Sequence, residues 1–105
     1  MGSIAIACYR PKPGCDAALL KLVREHQVPL LQEGLVTDRA PIIARTSDGA
    51  IVEIFEWKSQ EAIERAHSNP VVNELWNRFG EVCTYDVPAN IAEFKAMFAH
   101  FEPVN

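Results

Sequence analysis

The chain has 105 residues, enough for one domain with its own hydrophobic core. We assign 1–105 to a single domain, with the core in about residues 3–88 and a tail over 89–105. A composition of 49% hydrophobic and 23% charged residues is typical of a globular protein and excludes disordered and fibrous classes. The net charge is −4 and no segment clusters Lys and Arg, so we expect no nucleic-acid partner.

We also expect no membrane partner and a cytoplasmic location. No apolar run approaches the roughly 20 residues that span a bilayer, and segment 1–10 has no positive region before its apolar stretch. The cysteines lie in no C-x-x-C spacing and the histidines in no ligand spacing, so we expect neither a disulfide framework nor a metal site. These residues are Cys8, Cys15, Cys83, His26, His67 and His100.

Short apolar runs and apolar residues at helical spacing predict six elements in the order β-α-β-β-α-β. They are a strand over residues 4–9, a helix over 16–33 kinked at Pro29, strands over 41–47 and 50–57, a helix from 59 that breaks at 69–70, and a strand over 84–87. Asp16, Ser59 and Asn69 are predicted N-caps, and Gly34 is the predicted stop of the first helix. The tail is predicted to be helical over 91–98 and extended from residue 100.

The Asp48-Gly49 dipeptide predicts a tight hairpin between the second and third strands. Reading it as a two-residue turn sets Ala44 opposite Glu53 and places Arg45 on the other face of the sheet from Glu53.

The first and third strands are apolar on both faces, whereas two helices cover only one face of a four-stranded sheet. A large exposed apolar face is rare on a soluble monomer. We therefore predict a homodimer in which two copies pack sheet to sheet.

The element order, the stretch Glu53-Ile-Phe-Glu-Trp-Lys-Ser-Gln-Glu-Ala62 and the Ala66-His67 pair before the broken helix resemble the dimeric α+β barrel superfamily. Within it, the chain is most similar to antibiotic-biosynthesis-monooxygenase-like domains, over roughly residues 3–87. The resemblance implies an α+β fold: a ferredoxin-like protomer with an antiparallel four-stranded sheet of order 4-1-3-2, which dimerises into a barrel. It also implies a ligand pocket in each protomer, between sheet and helices.

The resemblance implies chemistry without a cofactor, because quinone-forming members of the superfamily use no metal, flavin or nicotinamide and O2 oxidises the substrate itself. Haem-degrading members use an Asn on the first strand, a Trp and a helix His. This chain has His67 at the matching helix position but no Asn between Ser3 and Arg10, so it lacks part of that set.

His67 and Glu53 are the predicted catalytic residues. His67 follows Ile63 by four residues, at the margin of the apolar helix face, and imidazole is suited to general-base catalysis. Glu53 is a carboxylate within a strand whose faces both look buried, so it needs a partner or a wet cavity. The alternatives are a His that caps or packs at the helix end and a Glu that pairs with an Arg or Tyr of a second copy.

Four further residues are predicted to bind the substrate: Tyr9, His26, Trp57 and Trp76. The aromatic rings can stack on a planar ligand, although core packing is the commoner role of aromatics in strands. His26 lies on the apolar stripe of the first helix, where it is either a satisfied core histidine or part of the pocket wall.

The leading functional hypothesis is a small-molecule-binding homodimer, acting as a cofactor-independent monooxygenase on an aromatic or polyketide-like substrate. One alternative is a non-catalytic ligand-binding or stress-related module, with His67 and Glu53 packed and no cavity beside them. Another is an isomerase or lyase on a small acid, which requires Arg45 to face the same pocket as His67.

Overall fold

A computed structural model describes residues 2–105. The elements are β1 (Ser3–Pro11), α1 (Asp16–Glu25), α2 (Gln27–Gln32), β2 (Ile42–Arg45), β3 (Ile51–Trp57), α3 (Gln60–Ala66), α4 (Pro70–Val82), β4 (Cys83–Asp86) and β5 (Glu102–Pro103). Two short 3-10 turns, Pro88–Asn90 and Ala92–Lys95, lie between β4 and β5. The strands form one antiparallel sheet in the order β4-β1-β3-β2-β5, so the predicted order 4-1-3-2 is confirmed and a fifth strand is added at the β2 edge.

The predicted first helix is two helices, because its hydrogen-bond ladder changes at His26. Pro29 has no N–H to donate to the carbonyl of Glu25. The N–H of His26 bonds to the carbonyl of Val23, three residues back, at 3.2 Å, and not four residues back as in a regular α-helix. The helix ends before Gly34, whose φ of +71° is a left-handed conformation that suits a helix stop. The expected N-cap is wrong by one residue: Cys15 is the N-cap and Asp16 begins the helix.

The broken second helix is confirmed as α3 and α4, each with its predicted cap. The Ser59 hydroxyl accepts a hydrogen bond from the Ala62 N–H at 3.1 Å. The Asn69 side chain accepts from the N–H groups of Val71 and Val72, and Pro70 occupies the first turn, where no N–H is needed.

The predicted hairpin register is wrong by one residue. Thr46 pairs with Ala50 across a three-residue loop: its N–H donates to the Ala50 carbonyl at 2.9 Å, and its carbonyl accepts from Gly49 at 3.1 Å. Loops of this length usually combine a tight turn with a left-handed glycine. The shift sets Ile43 opposite Glu53, in place of Ala44.

The register shift also moves Arg45, which pairs with Ile51. Because side chains alternate along a strand, Arg45 lies on the same face of the sheet as Glu53, not on the opposite face as predicted.

Gly49 gives a direct test of this turn. Its φ is +93° and an added Cβ would meet no atom within 4 Å, so the cost of a side chain there is conformational. Gly49→Val is expected to lower the free energy of unfolding by about 1–3 kcal/mol. Chemical denaturation should show it, with Gly80→Ala as the control: Gly80 lies in α4 with open space around it, and Ala there stabilises a helix. A Gly49→Val protein as stable as the wild type would contradict the turn.

The helices cover one face of the sheet, which we call the inner face. The odd-numbered residues of β3, from Ile51 to Trp57, point to this face and are buried. One half of the core packs β1 and β3 against α1 and α4, and the other packs β3 against α2, α3 and the segment after α2. The fully buried side chains of the two halves together include Leu19, Val23, Leu30, Leu35, Ile43, Val72 and Phe79.

The opposite, outer face is partly covered by the tail, which the sequence reading did not foresee. Ile91 is 1% exposed and packs against Cys8 and Val52. The predicted tail helix is two 3-10 turns instead, although the extended end is confirmed as β5. The rest of this face stays open: Ile4 is 56% exposed and Ile42 57% exposed.

Candidate active site

A cavity of about 360 Å³ lies on the inner face, between the sheet and α4. Its lining is aromatic and apolar with a few polar groups: Ala7, Tyr9, His26, Phe55, Trp57, Trp76, Asn77 and Tyr85. All four residues predicted to bind the substrate are in this set. A concave, mostly apolar pocket with few polar groups is the usual form of a small-molecule site.

Glu53 lies beneath this cavity at the centre of a buried hydrogen-bond network. Its side chain is 1% exposed. The Tyr9 hydroxyl donates to Oε1 at 2.7 Å, and Nδ1 of His26 lies 2.9 Å from Oε1 and 3.0 Å from Oε2. The carboxylate therefore has the partners that its burial requires, and both come from the same chain.

The network assigns the hydrogens of His26. Glu53 accepts from Tyr9, so its carboxylate is the acceptor for the imidazole as well, and Nδ1 carries the hydrogen that it donates. In the neutral ring Nε2 then bears a lone pair. Nε2 is shielded from solvent and has no hydrogen-bond partner within residues 2–105.

Aromatic packing fixes the orientation of the imidazole. The edges of Phe55 and Phe79 meet the His26 ring with centroid separations of 5.6 and 5.1 Å. Phe79 also stacks on Tyr9 at 5.1 Å. The two side chains bonded to Glu53 are thus held by a ring that is itself fully buried.

Tyr9 remains a phenol in this environment. Burial raises its pKa well above the ordinary value, and the charge of Glu53 and the hydrogen bond to it act in the same direction. The hydroxyl is therefore a donor to Glu53 throughout the neutral range.

His67 lies outside this network. It is exposed at the end of α3, where its Nδ1 is 2.9 Å from the carbonyl oxygen of Ile63. Its ring makes an edge-to-face contact with Trp76, a residue of the cavity lining, with the centroids 5.5 Å apart, but His67 itself is not in the lining. The structure thus brings Glu53 together with Tyr9 and His26, while His67 touches the site only through Trp76.

The cavity lining contains no Lys, Arg, Asp or Glu among the described residues. Arg45 shares the sheet face of Glu53 but is not part of the lining, and its guanidinium pairs with Glu102 at 3.2 Å. The described lining therefore offers no lysine or arginine cation to a carboxylate or phosphate.

The sequence analysis did not identify four of the lining residues as pocket residues: Ala7, Phe55, Asn77 and Tyr85. Tyr85 could have been found, because β4 pairs it with Tyr9 on the inner face. Asn77 is an exposed polar residue on a helix, and nothing in its sequence context distinguishes it from its neighbours.

Within residues 2–105, no group of three or more His, Cys, Asp and Glu side chains is arranged to hold a metal ion. The helices of this part of the chain are all too short or too polar to cross a membrane.

No protein-family model matches the sequence, and no curated protein matches it either. Solved structures do match. Rv0793 from Mycobacterium tuberculosis is 21% identical with a TM-score of 0.62, and the match covers 88% of this chain and 99% of that one. A Chloroflexus aurantiacus J-10-fl protein, assigned by name to the antibiotic biosynthesis monooxygenases, is 20% identical with a TM-score of 0.60, over 84% of this chain and 93% of that one.

A third structure, an uncharacterized NIPSNAP domain protein from Burkholderia xenovorans, is 18% identical with a TM-score of 0.50, over 88% of this chain and 98% of that one. Likeness at this level of identity concerns the fold and not the reaction. The chain therefore has the ferredoxin-like α+β fold that the antibiotic-biosynthesis-monooxygenase-like and NIPSNAP structures share.

Proposed function

We propose that the protein binds a small, planar, hydroxylated aromatic molecule in the cavity, and that Nε2 of His26 takes the proton of its hydroxyl. One observation carries the proposal: His26 is part of the wall of an aromatic cavity, and its Nε2 is shielded and has no hydrogen-bond partner within residues 2–105. A buried polar atom left unpaired costs about 1–3 kcal/mol. A ligand hydroxyl that bonds to Nε2 removes this cost, and it requires a small shift of the imidazole or its neighbours because Nε2 is shielded from the open cavity.

Glu53 supports His26 in this role. It accepts the Nδ1 hydrogen and so keeps the lone pair on Nε2, and it stabilises the imidazolium that forms when Nε2 takes a proton. Phe55 and Trp57 contact each other, with ring centroids 5.3 Å apart, and together give the cavity an aromatic wall against which a ligand ring can pack. The sequence-based prediction that His67 is the base is a competing form of the same proposal.

Deprotonation prepares an electron-rich ring for O2. For a tricyclic anthrone, which reacts through its phenol tautomer, the anion passes electrons to O2. The ring CH2 becomes a carbonyl that keeps one oxygen atom, and the other oxygen leaves as water with the two hydrogens. Substrate and O2 balance this reaction, so it needs no bound redox group. The fold shared with a protein assigned to the antibiotic biosynthesis monooxygenases supports this choice of chemistry.

A non-catalytic ligand-binding module is the second candidate. The full pairing of Glu53 with Tyr9 and His26 favours it, because a purely structural network needs the same contacts. An isomerase or lyase acting on a small acid has no comparable support, since Arg45 is paired with Glu102 and lies outside the cavity lining.

Thermal shift and oxygen uptake with a panel of phenols, naphthols and anthrones test the proposal. We expect neutral planar compounds to raise the melting temperature, carboxylated analogues to have no effect, and at least one anthrone to consume O2 without added cofactor. Saturable binding without O2 uptake would favour the binding module. A panel in which only the carboxylated compounds bind would overturn the proposal.

We further propose that the protein is a homodimer formed through the open part of the outer face. Ile6, at the centre of β1, is 41% exposed there, and its neighbour Ile4 is 56% exposed. Sedimentation velocity should give a dimer of the 11.7 kDa chain, and Ile6→Lys should give a monomer because a charge in an apolar interface is unpaired.

Val28→Lys is the matched control for this experiment, since Val28 is 57% exposed but lies on α2, on the other side of the molecule from the outer face. A wild-type monomer, or a dimer that Val28→Lys disrupts and Ile6→Lys does not, would contradict the interface.

A further inference from the structure

We infer that Asn77 and Tyr85 form an outer polar subsite at the mouth of the cavity, which holds a neutral oxygen at the end of the ligand opposite His26. The inference rests on the proposed function and adds the number and placement of the polar groups that the ligand carries.

The two residues come from different elements and meet at one opening. Asn77 lies on α4 and Tyr85 on β4, both line the cavity, and both are exposed, Tyr85 by 57%. The ring of Tyr85 tilts against that of Tyr9 at a centroid distance of 5.7 Å, which fixes it over the same wall as the Glu53 network. His26, by contrast, is only 3% exposed. The cavity therefore has a buried polar end and an open polar end.

The walls between these ends are apolar. The remaining lining residues are Ala7, Phe55 and the two tryptophans, together with Tyr9, whose hydroxyl is already donated to Glu53. Within residues 2–105, the side chains of Asn77 and Tyr85 have no hydrogen-bond partner, so both are available to a ligand. A ligand with one polar group satisfies only one end of such a cavity.

The chemistry at the mouth selects a neutral oxygen. An amide donates and accepts, and a phenol hydroxyl does the same. The exposed Tyr85 is still partly desolvated by its neighbours, which raises its pKa to about 12, so its hydroxyl stays protonated and can donate at neutral pH. With no charged residue in the described lining, a carbonyl or hydroxyl is the group that fits.

Two ligands of almost the same shape test the subsite by isothermal titration calorimetry. Alpha-naphthol has one hydroxyl, and the matching dihydroxynaphthalene has a second hydroxyl diagonally across the ring system. We expect the wild type to bind the diol about 5- to 10-fold more tightly than alpha-naphthol, because the diol makes one additional hydrogen bond. This factor is counted after correction for the statistical gain that comes from the two equivalent ends of the diol.

The variants locate the contact. Asn77→Leu keeps the approximate size of the side chain and removes its amide, so the preference for the diol over alpha-naphthol, taken as the ratio of the two affinities in the same variant, should vanish. Tyr85→Phe should reduce the preference. Asn73→Leu, one helical turn earlier on α4 and outside the cavity lining, should retain it in full.

Each outcome decides a different point. Equal affinity of the two ligands for the wild type, or a preference that survives Asn77→Leu, would overturn the outer subsite and leave the His26 site standing. Failure of the wild type to bind either naphthol would overturn the proposed function, and the outer subsite with it.

Discussion

Glu53→Ala is expected to lower the free energy of unfolding by about 3–5 kcal/mol, because it removes one partner of a buried network and leaves the others unpaired. The Tyr9 hydroxyl and the Nδ1 hydrogen of His26 both lose their acceptor, 2.7 and 2.9 Å away. In a domain of this size, such a loss lowers the melting temperature by roughly 15–30 °C. Urea denaturation at matched protein concentration measures it.

Two variants distinguish the loss of the buried network from the general effect of removing a side chain. Tyr9→Phe removes a single donor and keeps the ring that packs on Phe79, so a loss of only about 1–2 kcal/mol is expected. Glu56→Ala, three residues along the same strand but on the outer face, should cost much less than Glu53→Ala, since its carboxylate bonds to Thr37 and Arg39 near the surface. If the two glutamate variants lost equal amounts of unfolding free energy, the buried network would contribute no more to stability than the near-surface hydrogen bonds of Glu56.

His26→Asn is expected to lower turnover by about 10²- to 10⁴-fold, the usual contribution of a general base. Asn is chosen because its amide nitrogen can take the place of Nδ1 and donate to Glu53, while the base at Nε2 is lost. The fold should therefore survive, and the affinity for the substrate should change far less than kcat. Oxygen uptake under saturating substrate gives the comparison.

The same assay compares the histidines. His67→Ala removes the residue that the sequence indicates as the base, and His100→Ala serves as a control in the tail. Because His67 reaches the cavity only through the edge of Trp76, its loss should be much milder than that of His26→Asn. A large loss in His67→Ala with turnover preserved in His26→Asn would place the base at His67.

Local signals in the sequence predicted the fold well. Ser59 and the Asn69-Pro70 pair have cap chemistry that depends on neighbouring residues only, so the starts of α3 and α4 could be read directly. The doubly apolar strands β1 and β3 indicated the centre of the sheet, where the structure has them. The sequence predicted the extended tail but not its pairing as β5, because Glu102 and Pro103 are far in sequence from the β2 residues with which they pair.

The hairpin shows how a single residue alters the face assignments. Asp48-Gly49 is a strong signal for a two-residue turn, but Thr46 takes part in closing the loop with both its backbone and its hydroxyl, which accepts from the Ala50 N–H at 2.9 Å. One extra loop residue moves the second strand by one position, which is why the face of Arg45 was mispredicted.

The site was predicted in its parts and not in its arrangement. Glu53 drew attention because a strand carboxylate between apolar neighbours needs a partner, and that partner is found. That the partner is His26 depends on how α1 and α2 pack against β3: Pro29 signals the kink between these helices, but no local signal gives their packing on the sheet. His67 was favoured because a helix break looks like a pocket wall, yet its side chain faces outward there.

The proposed role of His26 is tested most directly by an NMR titration of protein labelled with 15N in its three histidines, using alpha-naphthol as the ligand. We expect the Nε2 resonance of His26 to shift on saturation, because its lone pair gains a hydrogen-bond donor, while the resonances of His67 and His100 stay in place. Saturation that shifts His67 and leaves His26 unchanged, or that shifts no histidine, would contradict it.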